Sequence, residues 1–179
     1  EINPRLLVFG EDVGLKGGVH AATLGLQQKF GAARVFDTSL SEEGIIGRAV
    51  GMAAAGLMPV PEIQFRKYAE PATEQLYDCG TIRWRTANRF AAPTVVRMPG
   101  GYFKCGDPWH SQSNEVQFAH ATGWRLAMPS NAEDAVDREA RHRARRKNRR
   151  GPRRHDEGGR GRVVQRRAIA RREARDLDA

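Results

Sequence analysis

Short apolar runs alternate along this chain with stretches whose apolar positions recur every three or four residues. Runs at Leu6–Phe9, Val35–Phe36, Val60–Phe65, Thr94–Met98 and Trp124–Met128 are each edged by Gly, Pro, Asp or Ser, which predicts five strands. Helical spacing covers residues 20–30, 42–56, 70–86 and 113–121, and another helix begins at 131. Strands alternating with helices predict a doubly wound parallel α/β sheet with helices on both faces. Ligands of such sheets gather at the carboxyl ends of the strands. Gly10-Glu11-Asp12, Asp37-Thr38-Ser39, Gln64 to Tyr68 and Pro99 to His110 all follow predicted strands, so their polar side chains belong to that rim.

The second helical stretch is readable in more detail. Ser39 stands three positions before Glu42, the spacing of a capping box. Gly47 and Gly51 lie one turn apart in a segment that also holds Gly44, Ala54 and Ala55, which suggests close approach by a neighbouring backbone. The pairs Gly17-Gly18 and Gly100-Gly101 lack the spacing of a phosphate-binding loop and read as turns.

Beyond Val136 the pattern collapses. Residues 1–136 hold 13 Lys and Arg against 14 Asp and Glu, net −1, whereas residues 137–179 hold 17 against 7, net +10, so the chain's +9 arises in its last quarter. That quarter has 16 Arg, one Lys and no aromatic residue, too little apolar matter for a core. Two readings of it stand: a basic low-complexity arm that neutralises nucleic-acid phosphates, or a frame-shifted end, since GC-rich coding sequence read out of frame gives such Arg/Gly/Ala runs.

The longest apolar run, Ala49 to Met58, falls well short of the roughly 18–20 residues that cross a bilayer, so no membrane partner is expected. Cys79 and Cys105 have no metal-ligand spacing, and no signal peptide precedes the first strand, which points to reduced thiols and a cytoplasmic protein. The chain opens on Glu1 with a strand almost at once, as if its amino end were clipped.

Three separated motifs carry the chemistry. In Ser39-Leu-Ser-Glu-Glu-Gly44 the two carboxylates stand at a helix start, where capping and the helix dipole alone would favour them. In Glu62-Ile-Gln-Phe-Arg-Lys-Tyr68, Gln64 and Tyr68 come together if the chain turns helical at once; otherwise they are a half-buried amide and a rim aromatic. In the Gly/Pro loop ahead of residue 113, His110-Ser-Gln-Ser113 presents an imidazole, the side chain that titrates near neutrality, although a lone loop histidine is more often polar surface.

Together, and in this order, the motifs resemble the β chain of the thiamine-diphosphate-dependent first component of 2-oxo acid dehydrogenase complexes, of the branched-chain or pyruvate type, over residues 5–136. The resemblance implies that residues 1–136 form a transketolase-like pyrimidine-binding domain. Glu42 would hydrogen-bond the cofactor's aminopyrimidine and favour the tautomer whose exocyclic nitrogen removes the thiazolium proton. Leu40, Gln64 and Tyr68 would line the pyrimidine pocket, and His110 would act near the substrate and the acyl-transfer step. Backbone carbonyls at Ala92, Thr94 and Val95 would contribute to a potassium-type cation site, completed by later residues for which no match occurs before the pattern breaks.

The same resemblance implies a partner α chain that holds the diphosphate and its Mg²⁺, in keeping with the lack of any Gly-Asp-Gly here. It implies a lipoyl acyltransferase as acyl acceptor, a 2-oxo acid as substrate, and a carboxyl-terminal domain that residues 137–179 do not supply. Alone, such a chain would be silent. Another transketolase-type thiamine enzyme and a non-enzymatic basic nucleic-acid-associated protein are the competing readings.

Overall fold

A computed structural model describes residues 3–101, 107–129 and 131–136. The expectations for residues 137–179 and for Cys105 lie outside them. Three strands, β1 (Leu6–Gly10), β2 (Val35–Asp37) and β3 (Met58–Glu62), form a parallel sheet in the order β2-β1-β3. Val8 pairs with both Val35 and Val60, and Gly10 with both Asp37 and Glu62, so the three carboxyl ends finish level. The chain leaves β1 in one direction to make β2 and returns across it to make β3. The strand order thus reverses at β1, where a crevice opens between the ends of β1 and β3.

Helix α1 (Leu26–Phe30) joins β1 to β2, and α2 (Glu42–Ala54) joins β2 to β3. After β3 a 3-10 turn (Arg66–Ala72) runs into α3 (Thr73–Arg85), and a short α4 (Val116–Ala119) follows the His110 loop. The cap of α2 is a correction to the expected box: Ser41, not Ser39, is the N-cap, and its Oγ accepts from the Gly44 amide at 3.2 Å. Ser41 is extended, with φ −168°, so its side chain can turn back on the first turn. Of the two helix glycines, Gly47 faces Gln75 at van der Waals range, but Gly51 faces nothing, so the expected close backbone approach is absent.

The core lies where α2, the 3-10 turn and α3 pack beside the sheet: Phe9, Ile45, Ile46, Ala49, Ile63, Ala69, Ala72 and Leu76 are buried together. Phe9 and Phe36 stack at 5.2 Å across adjacent strands. Such a cluster buries several apolar side chains, each contributing about 1.5–3 kcal/mol.

Two expected strands differ. Residues 94–98 run parallel to β3 but form only an isolated bridge, Glu62 to Arg97. The amides of Val95 and Arg97 donate to the carbonyls of Pro59 and Pro61, yet these prolines have no N–H to return, and only Ile63 donates back, to Arg97. Half a ladder results. Residues 124–129 form no strand at all. Trp124 instead donates its indole N–H to the Leu76 carbonyl at 2.7 Å, anchoring the loop on α3.

Backbone contacts divide the chain after Leu126. In the part beyond, residues 132–136 are helical, as the spacing from 131 predicts, and the Asp134 amide donates to Asn131 Oδ1 at 2.8 Å. No helix among the described residues is long and apolar enough to cross a membrane.

Candidate active site at the carboxyl edge of the sheet

Gly10 ends β1 where a side chain would strike the Glu62 carbonyl, so the two strands close tightly just below the rim. Above that contact stand Glu11 and Asp12. Asp12 adopts a left-handed backbone, φ 55°, and its Oδ2 accepts from the Gln64 amide at 3.3 Å, bridging the crevice between β1 and β3. Its Oδ1 meets Lys16 Nζ at 2.9 Å on the exposed side.

Glu11 stands at this rim within electrostatic reach of Glu42. Burial pushes the Glu11 carboxyl above the ordinary range, and the negative charges of Glu42 and Asp12 push it further. Glu11 Oε1 is shielded from solvent and has no hydrogen-bond partner. A buried carboxylate oxygen left unpaired beside a second carboxylate suits a ligand that brings a proton or an N–H. Glu42 occupies the first turn of α2, which the Ser41 cap fixes.

The second cluster surrounds His110. Its Nε2 lies 2.9 Å from Tyr68 Oη, and its Nδ1 lies 3.4 Å from Asp107 Oδ2. The Phe65 ring packs on the imidazole at 4.4 Å and meets Tyr68 edge-on at 6.0 Å. Tyr68 and His110 are therefore brought together, although 42 residues separate them. Gln64 and Tyr68 do not share a partner: the chain stays extended through Phe65 before the 3-10 turn starts, so Gln64 reaches Asp12 while Tyr68 reaches His110. Leu40 is 78% exposed. Glu43 is exposed and His120 ends α4, both as ordinary helix-end residues.

Around the expected cation position, the Ala92 carbonyl accepts from Cys79 Sγ at 3.6 Å and from Thr94 Oγ1 at 3.3 Å, and Val95 is half exposed. Burial pushes the Cys79 thiol up, with the Thr94 contact opposing it, so this cysteine is not an activated nucleophile. Among the described residues no three His, Cys, Asp or Glu side chains group as metal ligands. Glu11, Asp12, Phe65 and Arg66 fell within rim segments named from sequence but were given no role there. The first two had one usable signal, their place directly after the first strand.

A three-stranded parallel sheet whose order reverses at β1, with helices packed beside it, is an α/β fold. Residues 1–152 match the transketolase, pyrimidine binding domain family, to which the chain belongs. It is 52% identical over 136 residues to the 2-oxoisovalerate dehydrogenase subunit beta of Pseudomonas aeruginosa, covering 75% of this chain and 39% of that one. The protein of the same name from Bacillus subtilis is 44% identical over 136 residues, covering 75% of this chain and 42% of its own. The pyruvate dehydrogenase E1 component subunit beta of Leifsonia xyli is 42% identical over 137 residues, covering 74% and 40%. The chain thus spans about two fifths of the length of these relatives.

Proposed function

We propose that this chain supplies the pyrimidine-binding half of a thiamine-diphosphate-dependent 2-oxo acid dehydrogenase, acting with an α-type partner. The observation that carries the reading is the buried, unpartnered carboxylate oxygen of Glu11 just beyond β1, at the strand-order reversal, with Glu42 on the first turn of α2 close enough to act on it electrostatically. Bound there, thiamine diphosphate would supply the electron sink for decarboxylation. Glu42, fixed by its capped helix, would hold a proton at a ring nitrogen of the aminopyrimidine. Glu11, whose ionisation is opposed by burial, would be stabilised as a carboxylate by an N–H that the ligand donates to its free oxygen. Leu40 would be covered only once the partner and cofactor are in place, which agrees with its exposure. Gln64 and Tyr68 would line opposite parts of the pocket, and His110, held against Tyr68, would present its imidazole to the 2-oxo acid or the lipoyl group.

Residues 1–136 would constitute the doubly wound domain, in a cytoplasmic assembly. Mg²⁺ would be held with the diphosphate by the partner. A potassium-type ion at Ala92, Thr94 and Val95 would find hard carbonyl oxygens, but the Ala92 oxygen already accepts two internal contacts that the ion must displace.

Calorimetric titration of thiamine diphosphate and Mg²⁺ into the full chain, with and without an α-type partner, tests the reading. Binding is expected only with the partner, and Glu42→Gln should lower turnover of the reassembled enzyme by at least 100-fold, on the order of a lost acid–base contribution. Retained turnover in that variant would reject the assignment.

A further inference from the structure

Arg66 is a buried cation in a place where none is needed for the core. Its residue is 7% exposed, it opens the 3-10 turn that comes after β3, and it stands two positions before Tyr68. Its backbone amide donates to the Pro99 carbonyl at 2.7 Å, which ties it to the segment beside β3. From there the guanidinium passes over Gly100, whose missing side chain leaves the space it fills. One nitrogen lies 2.7 Å from Glu115 Oε2, and another donates to the Gln112 carbonyl at 3.5 Å. Both partners lie just past His110, on the loop that presents it.

We propose that Arg66 is the positioning residue for His110, a tether whose ion pair with Glu115 and contact with Gln112 hold the histidine loop against Tyr68. The inference rests on the functional reading of His110 given above. The loop is secured at two points from one short segment: Tyr68 meets the imidazole, and Arg66 meets the chain two and five residues further on. The physical reason is desolvation. A guanidinium this buried cannot be left unpaired, so the loop cannot swing away from Tyr68 without stranding a charge. The contact with Glu115 is short but not aligned as a hydrogen bond, and Arg66 Nε has no partner. The tether is therefore held by charge more than by directed bonds, and the pairing charge on Glu115 is its decisive element.

The test uses the full chain and its Arg66→Met, Arg66→Lys and Glu115→Gln variants. Nuclear magnetic resonance reads the proximity of the His110 ring to those of Phe65 and Tyr68, while methyl signals of Ile45 and Ile63 report whether the core is intact. The His110 ring signals should vanish in Arg66→Met and Glu115→Gln with the core unchanged, and persist in part in Arg66→Lys. In the enzyme reassembled with its partner, kcat should fall roughly tenfold or more with KM changed less than twofold, as for a displaced group. Full ring proximity in Arg66→Met with an intact core would overturn the proposal. Should that variant fail to fold, Glu115→Gln decides by the same two outcomes. A His110 ring freed from Tyr68 with kcat unchanged would uphold the tether and remove His110 from the active site.

Discussion

Glu11 illustrates how a single position couples the site to the stability of the fold. Its carboxyl is raised chiefly by burial, then by Glu42 and Asp12. In the unfolded chain it ionises at the ordinary carboxylate value, so between that value and the higher folded one the unfolded state releases a proton that the folded state keeps. Ionisation therefore costs the folded chain stability as pH rises through this window, and the cost is absent below it. Glu11→Gln removes the ionisation. The midpoint of thermal unfolding of the variant should exceed that of the parent at pH 7 by more than it does at pH 4. A difference that does not change with pH would sink the account. From sequence Glu42 stood out because it lies within a motif, whereas Glu11 was only one of several rim residues. Its importance comes from Glu42, 31 positions away, and no local pattern contains that distance. The same applies to Arg66, which reads locally as one of two basic residues on a turn and becomes a buried tether only when Glu115 folds over it.

At the scale of elements, α3 and the loop after α4 meet through two glycines. A side chain on Gly80 would be driven into the Thr122 carbonyl and the Trp124 ring, and one on Gly123 into the Gly80 carbonyl. Gly123 also has a left-handed backbone, φ 85°. Within an exposed helix, Gly→Ala is worth about 1 kcal/mol of added stability. Gly80→Ala is expected to reverse that sign, costing about 1–3 kcal/mol as overpacking lifts the loop and breaks the Trp124–Leu76 hydrogen bond. Urea unfolding followed by tryptophan fluorescence reads this; an unchanged or higher midpoint would refute it. Helices α2 and α3 were legible because their apolar spacing is local, whereas only Leu26–Phe30 of the expected 20–30 and Val116–Ala119 of the expected 113–121 are helical, and the cap was misplaced by two residues because Ser39 and Ser41 both precede acidic positions. The missing strand at 94–98 has a cause visible in the sequence only after pairing is known: Pro59 and Pro61 turn their absent N–H groups toward it. The absence of a strand at 124–129, by contrast, was hidden in an apolar run that looks like any buried strand.

For the molecule as a whole, charge is distributed unlike structure. Residues 1–136 carry a net −1, and residues 137–179 a net +10. Exposed charges are screened beyond about 10 Å at 0.1 M salt, so whatever binding the basic segment contributes weakens as salt rises. The expectation is that the full chain binds a cation-exchange or heparin matrix at pH 7 and is released by moderate salt, whereas a chain ending at Val136 passes through unretained. Retention of the shortened chain would place a basic surface on the sheet itself. Thermal unfolding of the two chains at 0.15 M salt should agree within a few degrees, because the core cluster lies wholly before residue 77 apart from the packed side chains of Val96, Met98, Phe118 and Trp124. A large fall on removing residues 137–179 would instead make that segment part of the fold and overturn the boundary expected at Val136 from the charge pattern.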